Sequence, residues 1–186
     1  MVYRWGNSSG SDTQDIGQKV SNYKVQKAVW FDNEPLTLGP RPKLKNIKNL
    51  PQQVIFTLLN PEEDANDDIK RAVLNAGKAW VHAPLDARGQ STSDWEYWLD
   101  AAIALKKVLD AGATVYLHCA AGIHRTGCLA YLYYRRDGYG THESRRMVFK
   151  LRPVIEDQIG DKMDRVEAMY TKAIQEKSLR DYYEEK

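Results

Sequence analysis

Three short apolar runs constrain this chain most: Val54–Leu59 (VIFTLL), Lys78–Leu85 (KAWVHAPL) and Thr114–His118 (TVYLH). Each is short, partly β-branched and bounded by polar or turn residues, which is how a buried strand reads. Helix signals separate them. Asn60-Pro61-Glu62-Glu63 offers a cap, a first-turn proline and two acids, predicting a helix that ends near Gly77. Ser93-Asp94-Trp95-Glu96 reads as a capping box. The helix that this box opens carries Trp95, Trp98, Leu99, Ala102, Ile103, Leu105 and Leu109 on one face and closes at Gly112. Three more helices are expected, from Thr126 to about Asp137, about His142 to Arg152, and about Asp161 to Glu176. Strand–helix–strand alternation dictates crossover connections, so the expected fold is α/β: one domain, a central mostly parallel sheet flanked by helices. Tyr23–Phe31 and Leu36–Leu38, joined by a turn, read as a β-hairpin at the sheet edge.

Composition narrows the class. With 186 residues there is room for one domain, expected over 23–178, with polar tails at 1–22 and 179–186. No apolar run is long enough to span a bilayer, and Met1–Gly10 has no apolar stretch of the kind a secretory signal needs, so a cytoplasmic protein is expected. A net charge of +2 gives no reason to make nucleic acid the first choice of partner. Two cysteines cannot build a disulfide framework and four scattered histidines suggest no metal cage, so neither a metal nor a cofactor is expected.

In an open parallel sheet, ligands bind beyond the carboxyl ends of the strands. Pro84–Asp94 and Cys119–Thr126 fall on that edge. The second segment, His118-Cys119-Ala120-Ala121-Gly122-Ile123-His124-Arg125-Thr126-Gly127, runs from a buried strand into a helix. Five residues between Cys119 and Arg125 let the backbone curl with its N–H groups inward, and the helix adds its positive end, making a site for a dianion. Cys119 lies in that same field, which stabilises a thiolate. Arg125 can fork onto two phosphate oxygens, as a lysine cannot. A nucleophile beneath a bound phosphoryl group is the consequence.

His118-Cys119 through Arg125-Thr126 resembles the H-C-x-x-G-x-x-R-[S/T] signature of the cysteine-dependent protein tyrosine and dual-specificity phosphatases. The resemblance extends more loosely from about Tyr23 to Tyr170. It implies a phosphotyrosine phosphatase-like fold and a two-step, metal-free mechanism through a phosphocysteine. By the same resemblance Cys119 is the nucleophile, Arg125 binds phosphate and stabilises the transition state, and Thr126 stabilises the departing thiolate. His118 tunes the loop from behind, and Ala120, Ala121, Gly122, Ile123 and His124 complete the phosphate loop.

The leaving group needs a proton, and a carboxylic acid on a neighbouring loop supplies it. Asp86 follows a strand, 33 residues ahead of Cys119, at a spacing similar to that of related phosphatases. Asp94 is its competitor, but a first-turn role in the capping box explains it better. Cys128, inside the helix that follows the loop, reads as a packing residue.

The variable loop positions Ala120, Ala121 and Ile123 are uncharged, unlike those of many phosphoinositide phosphatases. No segment corresponds to the loop that deepens the cleft of larger tyrosine-specific enzymes. The expected substrate is thus a phosphorylated protein bearing phosphotyrosine or phosphoserine/threonine. The alternatives are the same chemistry on an inositol phosphate or pyrophosphate, a phosphoinositide or an RNA 5′-phosphate, and a module that binds phosphate without turnover. Seven basic residues between Cys119 and Arg152 read first as a solvated helix face.

Overall fold

A computed structural model describes residues 34–63, 66–86 and 95–175. Four strands form one sheet: β1 (Leu36–Gly39), β2 (Val54–Thr57), β3 (Ala79–His82) and β4 (Val115–His118). Their order is β1-β4-β2-β3 and every pairing is parallel. The helices are α1 (Asn66–Asn75), α2 (Trp95–Asp110), α3 (His124–Arg136), α4 (Thr141–Leu151), α5 (Val154–Gln158) and α6 (Lys162–Gln175). A 3₁₀ segment covers Leu44–Asn49.

Strand alternation sorts the side chains into two cores. Val54 and Phe56 of β2, with Val115 and Leu117 of β4, join the large cluster under α2 to α6. Ile55 faces the other way and meets Ile47, Leu59, Ile69 and Val73 beneath α1 and the 3₁₀ segment. The sheet is therefore covered on both faces, which is why its strands are almost continuously apolar. The register sets Thr57 of β2 beside His118 of β4 and His82 of β3, all on the α1 side.

Several expectations need correction. The helix after β2 begins at Asn66 rather than at Pro61; Pro61–Glu63 form a turn, because the Glu63 carboxylate folds back onto the Asn60 amide at 2.7 Å. α3 starts two residues early, at His124, since the Gly127 N–H already reaches the Ile123 carbonyl at 2.8 Å. Arg125 and Thr126 thereby enter the first helical turn. β1 is an edge strand, but its partner among the described residues is β4, in parallel. The hairpin arm Tyr23–Phe31, the cap residues Ser93 and Asp94, and the tails at 1–22 and 179–186 lie outside the described residues.

Candidate active site

The loop from Cys119 to Ile123 leaves β4 at its carboxyl end and delivers the chain into α3. The first amides of a helix have no acceptor within it, so those of Ile123, His124, Arg125 and Thr126 are left to the loop. The Gly122 N–H donates to Cys119 Sγ at 3.2 Å. Burial pushes the Cys119 thiol up, but the Thr126 hydroxyl and the amides of Thr126, Gly122 and Ile123 outweigh it, and the net shift is downward. The Thr126 hydroxyl is fully buried and makes no conventional hydrogen bond, which leaves the sulfur as the group it serves.

Gly122 is required twice over. Its φ of +69° lies in the left-handed region, and a Cβ there would meet the Gly39 carbonyl oxygen at 2.0 Å. The loop thus rests directly on the Gly39–Pro40 backbone.

His118 is wholly buried, and burial pushes its pKa down to about 4, so the ring is neutral at neutral pH. Its Nδ1 lies 3.2 Å from the Cys119 carbonyl oxygen, and its Nε2 lies 2.9 Å from Thr57 Oγ1. A carbonyl only accepts, so Nδ1 carries the hydrogen and Nε2 accepts from the Thr57 hydroxyl. That hydroxyl in turn accepts the Trp80 indole N–H at 2.9 Å. The chain Trp80–Thr57–His118 therefore ends on the peptide that carries Cys119 and fixes it from the sheet side.

Arg125 is 5% exposed and is held at the carboxyl ends of β2 and β3. Nη1 donates to the carbonyls of Leu58 and Leu85, both at 3.1 Å, and to Glu63 Oε2 at 2.5 Å, while Nη2 donates to Glu63 Oε1 at 2.8 Å. Glu63 and the two carbonyls occupy the Nη1 end of the guanidinium. The Nε–H and the second Nη2 hydrogen form a separate parallel pair, a geometry suited to two oxygens of one phosphate. The Arg125 side chain hydrogen-bonds to Glu63, which holds that carboxyl below its ordinary range against the opposing effect of burial.

Sequence reasoning missed Glu63. In the sequence its carboxylate stands where a helix-start acid belongs, and its partner lies 62 residues away. The Asn-Pro-Glu-Glu turn gave no sign that the second glutamate would reach across the strand ends.

Asp86 is exposed and follows Leu85, whose carbonyl holds Arg125, so it lies on the same edge as the loop. Asp94 lies outside the described residues. His124 is turned away: its Nε2 donates to the Gln158 carbonyl at 3.0 Å, leaving only its backbone to the loop. Ala120 and Ala121 are exposed and Ile123 is half-buried. Most of the basic helix residues are engaged: Arg135 with Glu167, Arg145 with Asp164, and Arg146 with Glu143. Cys128 is buried within α3 in the main core. Among the described residues no group of His, Cys, Asp and Glu is arranged to hold a metal ion, and no helix is long and apolar enough to cross a membrane.

Comparison with family models and with curated sequences finds no match. Solved structures do match. The active form of Tk-PTP is 17% identical, with 72% of this chain and 90% of that one covered at a TM-score of 0.57. The fold is shared with phosphatases. Kinase-associated phosphatase, with serine replacing its catalytic-site cysteine, is 15% identical, with 75% of this chain and 85% of that one covered at a TM-score of 0.59. The core catalytic domain of the PP-IP phosphatase SIW14 from S. cerevisiae is 15% identical, with 72% of this chain and 80% of that one covered at a TM-score of 0.54.

Proposed function

We propose that the chain is a phosphomonoester hydrolase of dual-specificity type, removing phosphate from phosphotyrosine and phosphoserine/threonine in proteins, with its catalytic unit over 23–178. The observation that carries this reading is the pairing of two features at one place. A buried sulfur receives amides of its own loop, and beside it lies a buried guanidinium whose donors reach both Glu63 and that sulfur.

In this reading a phosphate dianion sits over Cys119 Sγ, bound by the loop amides and the Arg125 fork. The thiolate attacks phosphorus, and Asp86 protonates the leaving oxygen as the P–O bond breaks. Asp86, now a carboxylate, takes a proton from the water that attacks the phosphocysteine. The Thr126 hydroxyl stabilises the sulfur as it departs, and inorganic phosphate leaves. Neutral His118 takes no part in proton transfer; it holds the Cys119 peptide.

A panel of phosphopeptides, inositol phosphates and pyrophosphates, phosphoinositide headgroups and 5′-phosphorylated RNA tests the substrate, with released phosphate as readout and Cys119→Ser as control. Turnover of phosphotyrosine and phosphothreonine peptides above the others is expected. Preference for inositol pyrophosphates, which SIW14 is named for hydrolysing, would move the reading to a soluble polyanion. Vanadate binding without turnover of any compound would make the chain a phosphate-binding module.

A further inference from the structure

The outer side of the phosphate loop carries a second set of contacts with no part in the chemistry described above. A loop that turns its N–H groups inward must turn its carbonyls outward, and buried or half-buried carbonyls need donors. Here the three consecutive carbonyls of Ala120, Ala121 and Gly122 each have one. The Arg41 N–H donates to Ala120 O at 3.0 Å. Arg152 supplies the other two, with Nε on Gly122 O at 2.8 Å and Nη2 on Ala121 O at 3.4 Å. Arg152 is the residue directly after α4, which packs on α3, α5 and β1.

Around it the site is built tightly. The Tyr116 hydroxyl donates to Pro40 O at 3.0 Å, and its ring fills the space where Gly39 would carry a Cβ. That same Gly39 backbone supports Gly122. Arg152 is close enough to Tyr116 for its charge to act on the phenol. Tyr116, Gly39–Pro40 and Arg152 thus form one brace behind the loop, in which the Arg152 side chain grips two loop peptides.

We infer that Arg152 is a positioning residue of the active site: its guanidinium fork holds the Ala121 and Gly122 carbonyls outward, and so aims the following amides at the sulfur and at bound phosphate. The inference rests on the phosphatase reading of the loop. The geometry is specific to arginine. The Gly122 peptide links the carbonyl that Arg152 holds to the Ile123 N–H, one of the amides that act on Cys119. A peptide is planar, so gripping its carbonyl fixes the direction of its N–H. A lysine in the same place would supply charge without the two-pronged hold.

Among the described residues, the charged and titratable groups around the loop and its brace include Arg125 from α3, His118 and Tyr116 from β4, and Arg41 and Glu63 beyond β1 and β2.

The test compares the parent chain with Arg152→Lys and Arg152→Met. It measures the pH profile of Cys119 alkylation by iodoacetamide, read by mass on the Cys119 peptide, together with vanadate inhibition and thermal melting. Melting certifies that each variant is folded. Both variants are expected to alkylate Cys119 along a profile displaced to higher pH. Both should bind vanadate on the order of tenfold more weakly, the effect of misaiming rather than deleting a donor. Parent-like profiles and vanadate constants in both variants would overturn the inference. So would a normal Arg152→Lys beside an impaired Arg152→Met, since charge alone would then suffice. An ordinary thiol profile with no vanadate binding in the parent chain would instead remove the phosphatase reading, and the brace with it, before any variant is considered.

Discussion

Replacing Glu63 by glutamine is the sharpest perturbation of the site that leaves the loop itself untouched. The pair it disturbs is unequal: the Arg125 side chain is 7% exposed, and that of Glu63 is 31% exposed. Glutamine retains one acceptor, so one of two charge-assisted bonds goes, together with the counter-charge. Removing one partner of a fully buried pair costs about 3–5 kcal/mol. Water reaching the Glu63 side takes up part of that loss, and Arg125 keeps the Leu58 and Leu85 carbonyls, so about 2 kcal/mol is the expected effect. If that energy acts on the placement of Arg125 in the transition state, kcat/KM falls roughly 30-fold. The assay is steady-state hydrolysis of an aryl phosphate with vanadate inhibition, and urea unfolding as a check on folding. A double-mutant cycle with Arg125→Lys separates placement from general damage: the glutamine substitution should cost much less once Arg125 is gone. Unchanged kcat/KM and vanadate affinity in folded Glu63→Gln would refute the claim that Glu63 positions Arg125.

Other outcomes follow from the same geometry. Asp86→Asn should lower kcat by orders of magnitude on substrates with poor leaving groups and remove the alkaline limb of the pH–rate profile, whereas Asp94→Asn should not; the reverse result would exchange their roles. Gly122→Ala should cost about 2–4 kcal/mol in chemical denaturation, from its left-handed φ and its collision with the Gly39 backbone, and should abolish turnover. His118 titrates near 4 when folded against 6.5 unfolded, so the unfolded chain binds more protons between those values. Stability is therefore whole above pH 6.5 and falls by up to about 3 kcal/mol as the pH drops to 4, a slope that His118→Gln should flatten in urea titrations.

What could be read in the sequence was whatever is local or periodic. His118 through Thr126 is contiguous, so its residue types could be matched to a chemistry directly, and β2, β3 and β4 showed as apolar runs because both their faces are covered. The 3₁₀ segment Leu44–Asn49 and the five-residue α5 are too short to show a period. The parallel docking of β1 on β4 could not be seen, because strand signals carry no orientation and the two are remote in sequence. Glu63 and Arg152 were missed for different reasons. The first is paired across the strand ends to a residue far along the chain. The second binds backbone carbonyls, which any residue types would present.

The account depends on a sulfur that accepts a phosphoryl group. Acid-quenched turnover of an aryl phosphate by Asp86→Ala, followed by peptide mass analysis, tests this directly. One phosphoryl group carried by the Cys119 peptide, and absent when Cys119 is also replaced by serine, is the predicted result. Turnover that leaves that peptide unmodified, or that survives Cys119→Ser, would contradict it.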